Sequence, residues 1–206
     1  GTLTAVDDFD FKDMAKGSSV NFSSVFMGAH SGTHVDAPLH FLPEGKGIDQ
    51  AEISALVGRA RVIEIGNAES ISAEELSTHH IRKGERLLFK TRNSLLGAWH
   101  ELPFMKDFVY LSDEGACFLA ERRVRLVGVD HLSAGSYRYG GKEVHKSLLS
   151  AGIWLVKGLD LSATTTGRYL TICLQLIPHM SRSSIYVMTG IPRGEMKMQL
   201  DAAEVV

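Results

Sequence analysis

MGAHSGTHVDAPLHF, residues 27–41, is the stretch from which the rest of the chain is best read. Three of the chain's nine histidines fall in it, at His30, His34 and His40, far more than random placement would put there. Asp36 follows His34 by two residues. Three imidazoles and a carboxylate make a borderline-soft N/O donor set, suited to zinc, manganese, iron or cobalt. The four-residue spacing of His30 and His34 would put both on one helix face. Gly32, Thr33 and Val35 disfavour a helix, however, and Pro38 drives Ala37 into an extended conformation. The expected local structure is a bend at Ser31-Gly32-Thr33 that folds His30 back toward His34, followed by extended His34-Val35-Asp36. Alternation then puts His34 and Asp36 on one face and Val35 in the core. Two ligands from a strand and one from the bend before it leave coordination positions open, the pattern of a catalytic metal site rather than a structural one. Pro38 is expected to hold His40 beside the site without making it a ligand.

Outward from this stretch, short β-like runs alternate with short helical ones. VNFSSVFM (20–27), ARVIEIG (60–66), ERLLFKT (85–91), DFVYLS (107–112), RLVGVD (125–130), IWLVKG (153–158), YLTICLQLI (169–177) and SSIYVMT (183–189) read as strands. ISAEELSTHH (71–80) reads as a helix, with Ser72 as cap, Glu75 completing a capping box and His79-His80 as its solvated end. Ser112 is expected to cap DEGACFLAERR, whose first turn is acidic. EVHKSLLSAG (143–152) reads as a helix stopped at Gly152. The pattern predicts a single α/β or α+β domain over 1–206 with a mostly β interior. Trp99 and His100 suit either a pocket-lining loop or packing. Asp130-His131, after a buried-type strand, suits a turn or a supporting role behind the site.

The bulk composition narrows the function classes. A chain of 206 residues buries a full core without disulfides or structural metal. The net charge of −2 and the lack of a concentrated basic run argue against nucleic acid as a partner. Cys117 and Cys173 each sit among apolar residues and read as buried hydrophobes, not a disulfide framework, which agrees with a cytoplasmic location. No run approaches the ~20 apolar residues of a membrane helix, so no membrane partner is expected. No signal peptide is visible; the chain opens at Gly1 without Met, which leaves room for an upstream segment.

His30-Ser31-Gly32-Thr33-His34-Val35-Asp36-Ala37-Pro38-Leu39-His40 resembles the HxGTHxDxPxH motif of the cyclase-type metal-dependent hydrolases, the family of bacterial kynurenine formamidases and isatin hydrolases. The resemblance runs from about Phe26 to about Leu159. It includes LSDEGACFLAERRVRLVGVDHLS (111–133), similar to a helix-strand segment of the family, and HKSLLSAGIWLVKGL (145–159), similar to its H-x-x-LL-x-x-GI stretch. The resemblance implies a swivelling β/β/α domain, a mixed sheet of β-barrel character with flanking helices, assembled as a homodimer or homotetramer. It implies that His30, His34 and Asp36 ligate a divalent metal, zinc or manganese, with Asp36 able to bridge to a second. It makes His40 the general acid/base and His145 a ligand of that second metal.

Three departures from the family pattern stand out. Lys157, twelve residues after His145, occupies the position where kynurenine formamidases carry a metal-bridging glutamate. A protonated ammonium cannot ligate a cation, so one metal is expected, with Lys157 taking the space and charge of the second. IPHMSRSSIYVMTGIPRGE (177–195) fits the family's C-terminal segment poorly. The usual N-terminal strand with its aromatic-Pro-Gly segment is missing before Gly1. The expected activity is hydrolysis of a small amide or lactam, an N-formylkynurenine-like arylformamide or an isatin-like ring, by metal-activated water. Two alternatives stay open: a non-catalytic metal- or ligand-binding relic, and hydrolysis of a dienelactone-type lactone.

Overall fold

The runs Arg86–Lys90, Leu126–Val129 and Trp154–Lys157 are buried along almost their whole length, as strands covered on both faces must be. The computed structural model describes residues 13–21, 28–97, 104–175 and 183–192, the last of these as backbone. In it the three runs are β4, β6 and β7. With β2 (Val57–Glu64) they form the parallel centre of a sheet in the order β2-β4-β6-β7. One row of registered residues crosses all four: Val62, Leu88, Gly128 and Val156. The short β1 (His34–Asp36) lies antiparallel to β7. β8 (Gly167–Gln175) lies antiparallel to β2, and β9 (Ser183–Pro192) joins β8 to β1 and closes the sheet into a barrel. A separate two-stranded pair, β3 (Ser70–Ile71) and β5 (Tyr110–Leu111), is parallel. The connections carry helices α1 (Ile53–Leu56), α2 (Ala73–Ser77), α3 (Arg92–Leu95), α4 (Asp113–Glu121) and α5 (Lys142–Ser150). The expected α/β architecture of barrel character with flanking helices is the one observed.

Strand alternation divides the core in two. Val35, Val62, Leu88, Trp154 and Val156 point into the barrel. Ile63, Leu87, Phe89, Val127 and Leu155, from the opposite parity, pack outside it against Leu76, Leu119 and Leu148 of the helices. Gly128 belongs to the inner set. A Cβ there would stand 2.6 Å from Leu88 Cδ2 and 2.7 Å from Leu159 Cδ1, so those leucines fill the space a side chain would take.

The local signals hold where they rest on short-range geometry. Ser72 Oγ accepts the Glu75 N–H at 3.2 Å, and Ser112 Oγ accepts the Gly115 N–H at 3.0 Å. Gly152 follows α5 at φ +74. Other expectations give way to tertiary contacts. The capping box is only half made, because the Glu75 carboxylate instead accepts the N–H groups of Gly66 and Asn67 at 2.7 and 3.1 Å. The helix expected over 71–80 shortens to α2, with His80 at φ +48. The strand expected over 107–112 contracts to β5. Cys173 is buried as expected, but Cys117 is exposed: helical period turns it outward while Ala116 and Leu119 face the core. Residues 22–27, most of the 20–27 run, lie outside the described residues, as do Trp99 and His100.

Candidate metal centre

The bend at residues 31–33 forms as the sequence predicts, with Gly32 at φ +58. What holds it is β7. Thr33 Oγ donates to the Gly158 carbonyl at 2.5 Å, and the Gly158 N–H donates to the His131 carbonyl at 2.9 Å. Gly158 must itself be glycine: it has φ +71, and a Cβ would lie 2.7 Å from the Gly32 carbonyl oxygen. The bend is thereby pinned to the carboxyl end of β7, the usual place for chemistry in such sheets.

From the bend, β1 runs with Val35 turned into the barrel and His34 and Asp36 turned out toward α5, as alternation requires. Both residues are buried, and Asp36 is 0 % exposed. His30 Nδ1 lies 3.3 Å and His34 Nε2 3.5 Å from Asp36 Oδ1. Pro38–His40 forms a single 3-10 turn, with the His40 N–H donating to the Ala37 carbonyl at 2.9 Å. That turn sets the His40 ring 4.1 Å from the His30 ring. Donor atoms of His30, Asp36 and His40 all lie within 4.8 Å of one another. His40, expected beside the site but not as a ligand, therefore also stands within ligand reach.

Two residues distant in sequence complete the site. His145, buried on α5, brings Nε2 to 3.6 Å from Asp36 Oδ2. Lys157, opposite His34 in the β1–β7 register, brings Nζ to 2.8 Å from the same oxygen. This contact is an ion pair, and neither Asp36 oxygen accepts a hydrogen bond. All five expected site residues, His30, His34, Asp36, His40 and His145, converge, and Lys157 joins them.

The electrostatics follow from burial. Burial raises the Asp36 carboxyl pKa, but His30, Lys157 and His34 outweigh it and hold the group well below the usual carboxylate range. Burial, with Lys157 adding, pushes His34 down to about 4, and burial does the same to His40. His145 is lowered as well, chiefly by burial and next by Lys157. His34 Nδ1 lies 2.8 Å from the Gly32 carbonyl and His145 Nδ1 2.6 Å from the Gly141 carbonyl. A carbonyl only accepts, so each Nδ1 carries the proton and each Nε2 presents a lone pair to the centre.

This donor set fits a divalent cation. His34 Nε2 and Asp36 Oδ1 are buried without a hydrogen bond, an arrangement that normally costs stability, whereas Oδ2 is ion-paired with Lys157. Two ligands at about 2.1 Å from one tetrahedral ion stand roughly 3.4 Å apart, close to the donor separations around Oδ1. Neutral imidazoles with lone pairs inward and an ionised carboxylate are the protonation states such an ion requires.

Asp130 and His131, suited by sequence to a turn or a supporting role, follow the end of β6 and are both buried. The buried Asp130 carboxylate accepts from Thr91 N–H and Oγ, from Ser94 N–H and Oγ, and from Asn93 Nδ2, at 2.7 to 3.3 Å. It anchors the turn after β4 to the end of β6. His131 stacks 3.6 Å from Phe108, and its Nδ1 accepts the Ser133 N–H at 3.1 Å. Burial pushes its pKa from 6.5 to about 4, against contacts with Ser133 and Met105. The unfolded chain therefore takes up this proton first as pH falls. Stability is complete above about pH 6.5 and is lost progressively down to about pH 4, by about 3 kcal/mol from this group. Urea unfolding of metal-free protein between pH 7 and 4 is expected to lose about one proton of this dependence in His131→Asn. An unchanged acid slope would show that His131 does not carry it.

A family model described as "Putative cyclase" matches residues 4–136. The chain is 36% identical over 159 residues to a kynurenine formamidase of Bacillus thuringiensis (strain Al Hakam), covering 77% of this chain and 74% of that enzyme. A solved structure described as a potential metal-dependent hydrolase with cyclase activity superposes with a TM-score of 0.74 at 29% identity, covering 80% of each chain. Isatin hydrolase A from Ralstonia solanacearum shares the fold with a TM-score of 0.71 at 20% identity, over 82% of this chain and 74% of that one. Among the described residues no helix is long and apolar enough to cross a membrane. With its HSGTHVDAPLH segment folded into a convergent His/Asp centre on a matching barrel, the chain belongs to the cyclase family of metal-dependent hydrolases.

Proposed function

We propose that the chain hydrolyses a small amide, with an N-formyl arylamine as the first substrate to test and an isatin-like lactam as the second. The observation that carries this reading is the group of buried ligand atoms on His34 and Asp36 that have no hydrogen bond, with His40 beside them. The 36% identical kynurenine formamidase supports the arylformamide class. His30, His34 and Asp36 would hold the cation, zinc or manganese. When bound, it would supply Lewis acidity, polarising the scissile carbonyl and lowering the pKa of water.

The chain's own residues do the rest. The Gly32 carbonyl fixes the His34 tautomer and ring direction. His40, unprotonated above about pH 4, takes a proton from water as it attacks the carbonyl carbon. It returns that proton to the leaving nitrogen as the C–N bond breaks, so amide and water become carboxylic acid and amine.

The test is arylamine release from an N-formyl arylamine by protein purified without chelator and re-supplied with zinc or manganese. Turnover is expected with metal, and chelation or His34→Ala should remove both metal and turnover. Metal retention without hydrolysis across amides, lactams and lactones would overturn the reading in favour of a binding protein.

A further inference from the structure

Asp36 is approached from two sides by two different kinds of partner. Oδ1 faces the imidazoles of His30 and His34 at 3.3 and 3.5 Å. Oδ2 faces the imidazole of His145 at 3.6 Å and the Lys157 ammonium at 2.8 Å. His145 Nδ1 is committed to the Gly141 carbonyl, so its Nε2 has no proton to give the carboxylate. A nitrogen lone pair and a carboxylate oxygen thus face each other on the Oδ2 side. Two acceptors in that relation are ordinarily reconciled by a cation, and here the neighbouring cation is Lys157.

Lys157 is built into this position. It ends β7, stands opposite His34 in the register, and is followed by Gly158, whose turn is locked against the 31–33 bend. Its side chain is 7% exposed and its ion-pair partner Asp36 is 0% exposed, so the charge is held inside the centre and not at its rim.

We propose that Lys157 is a resident cation filling one half of a two-cation centre, so that the chain binds a single metal ion on the Oδ1 side. A carboxylate in place of Lys157 would open a second ion site with Asp36 Oδ2 and His145 Nε2. This rests on the reading that His30, His34 and Asp36 take a metal. Glutamate is shorter than lysine, and its oxygens would stop short of Oδ2 with room for an ion between. One imidazole and two carboxylates form an N/O set suited to zinc or manganese. Without the ammonium, the first ion also loses a like charge across one carboxylate.

The experiment is zinc stoichiometry by elemental mass spectrometry and zinc affinity by calorimetry on wild type, Lys157→Glu and Lys157→Met, each checked for folding by circular dichroism. Wild type is expected to hold one zinc per chain and folded Lys157→Glu two. Lys157→Met should hold one, bound about tenfold or more tightly, because a nearby like charge is gone. Two zinc ions in wild type, or one in folded Lys157→Glu, overturn the proposal. Should Lys157→Glu fail to fold, Lys157→Met decides: unchanged or weaker affinity overturns it. No zinc in wild type overturns the metal reading itself and this inference with it, whereas two zinc ions overturn this inference alone.

Discussion

Asp36→Asn is expected to remove metal and turnover together, and to destabilise the protein even without metal. The carboxylate is the only anion among the described groups at the centre, and its Oδ1 is shared by His30 and His34. An amide keeps the shape but removes the charge that holds a divalent cation, so turnover should fall by roughly 10³-fold or more. The second effect comes from Lys157, whose ammonium sits 2.8 Å from Oδ2 with 7% of its side chain exposed. Removing one partner of a buried ion pair leaves an uncompensated charge, at a cost of about 3–5 kcal/mol. For a chain of this size that is a fall in Tm of about 10 °C. Comparing wild type and Asp36→Asn, both metal-free, isolates this contribution from metal binding. Equal melting temperatures would mean that the ion pair contributes nothing to stability.

His40→Ala is expected to separate the two functions of the centre. If His40 transfers protons, the variant keeps its metal and loses about 10²- to 10⁴-fold in turnover. If it serves as a ligand, as its position within 4.8 Å of the His30 and Asp36 donors allows, metal affinity falls with turnover. Elemental analysis beside the rate measurement distinguishes these outcomes, and near-wild-type turnover would exclude both roles. The pH dependence has a definite sign. Burial holds His40 near 4, so wild-type turnover should persist through neutral pH and fall as pH drops toward that value. His34, held near 4 by burial, acts in the same direction, because its protonation removes a ligand lone pair.

The centre was unevenly legible. His30, His34, Asp36 and His40 could be placed together from the chain alone, because eleven residues of backbone with Gly32 and Pro38 at fixed points leave few conformations. His145 and Lys157 could not be joined to them by local geometry. They meet Asp36 through α5 and the β1–β7 register, across more than a hundred residues, and resemblance to the family marked their positions. Gly158 carried a signal as a glycine directly after a buried strand, but what it makes room for, the Gly32 carbonyl, is visible only in three dimensions. The Asp130 cluster had no sequence signature, since its partners Thr91, Asn93 and Ser94 come from a different turn.

By itself the sequence determined the features whose energetics are settled within a few residues. These are the extended His34-Val35-Asp36 with its two faces, the bend before it, the serine caps of α2 and α4, and the buried β4, β6 and β7. Each depends on φ/ψ preference, alternation or a hydrogen bond reaching three residues along. The tertiary structure alone decided the strand order that closes the barrel, the diversion of Glu75 from its cap to the Gly66 turn, and the placement of Lys157 on the second oxygen of Asp36. Each of these is a choice between partners that local preference ranks about equally, and only the packing of the whole chain separates them.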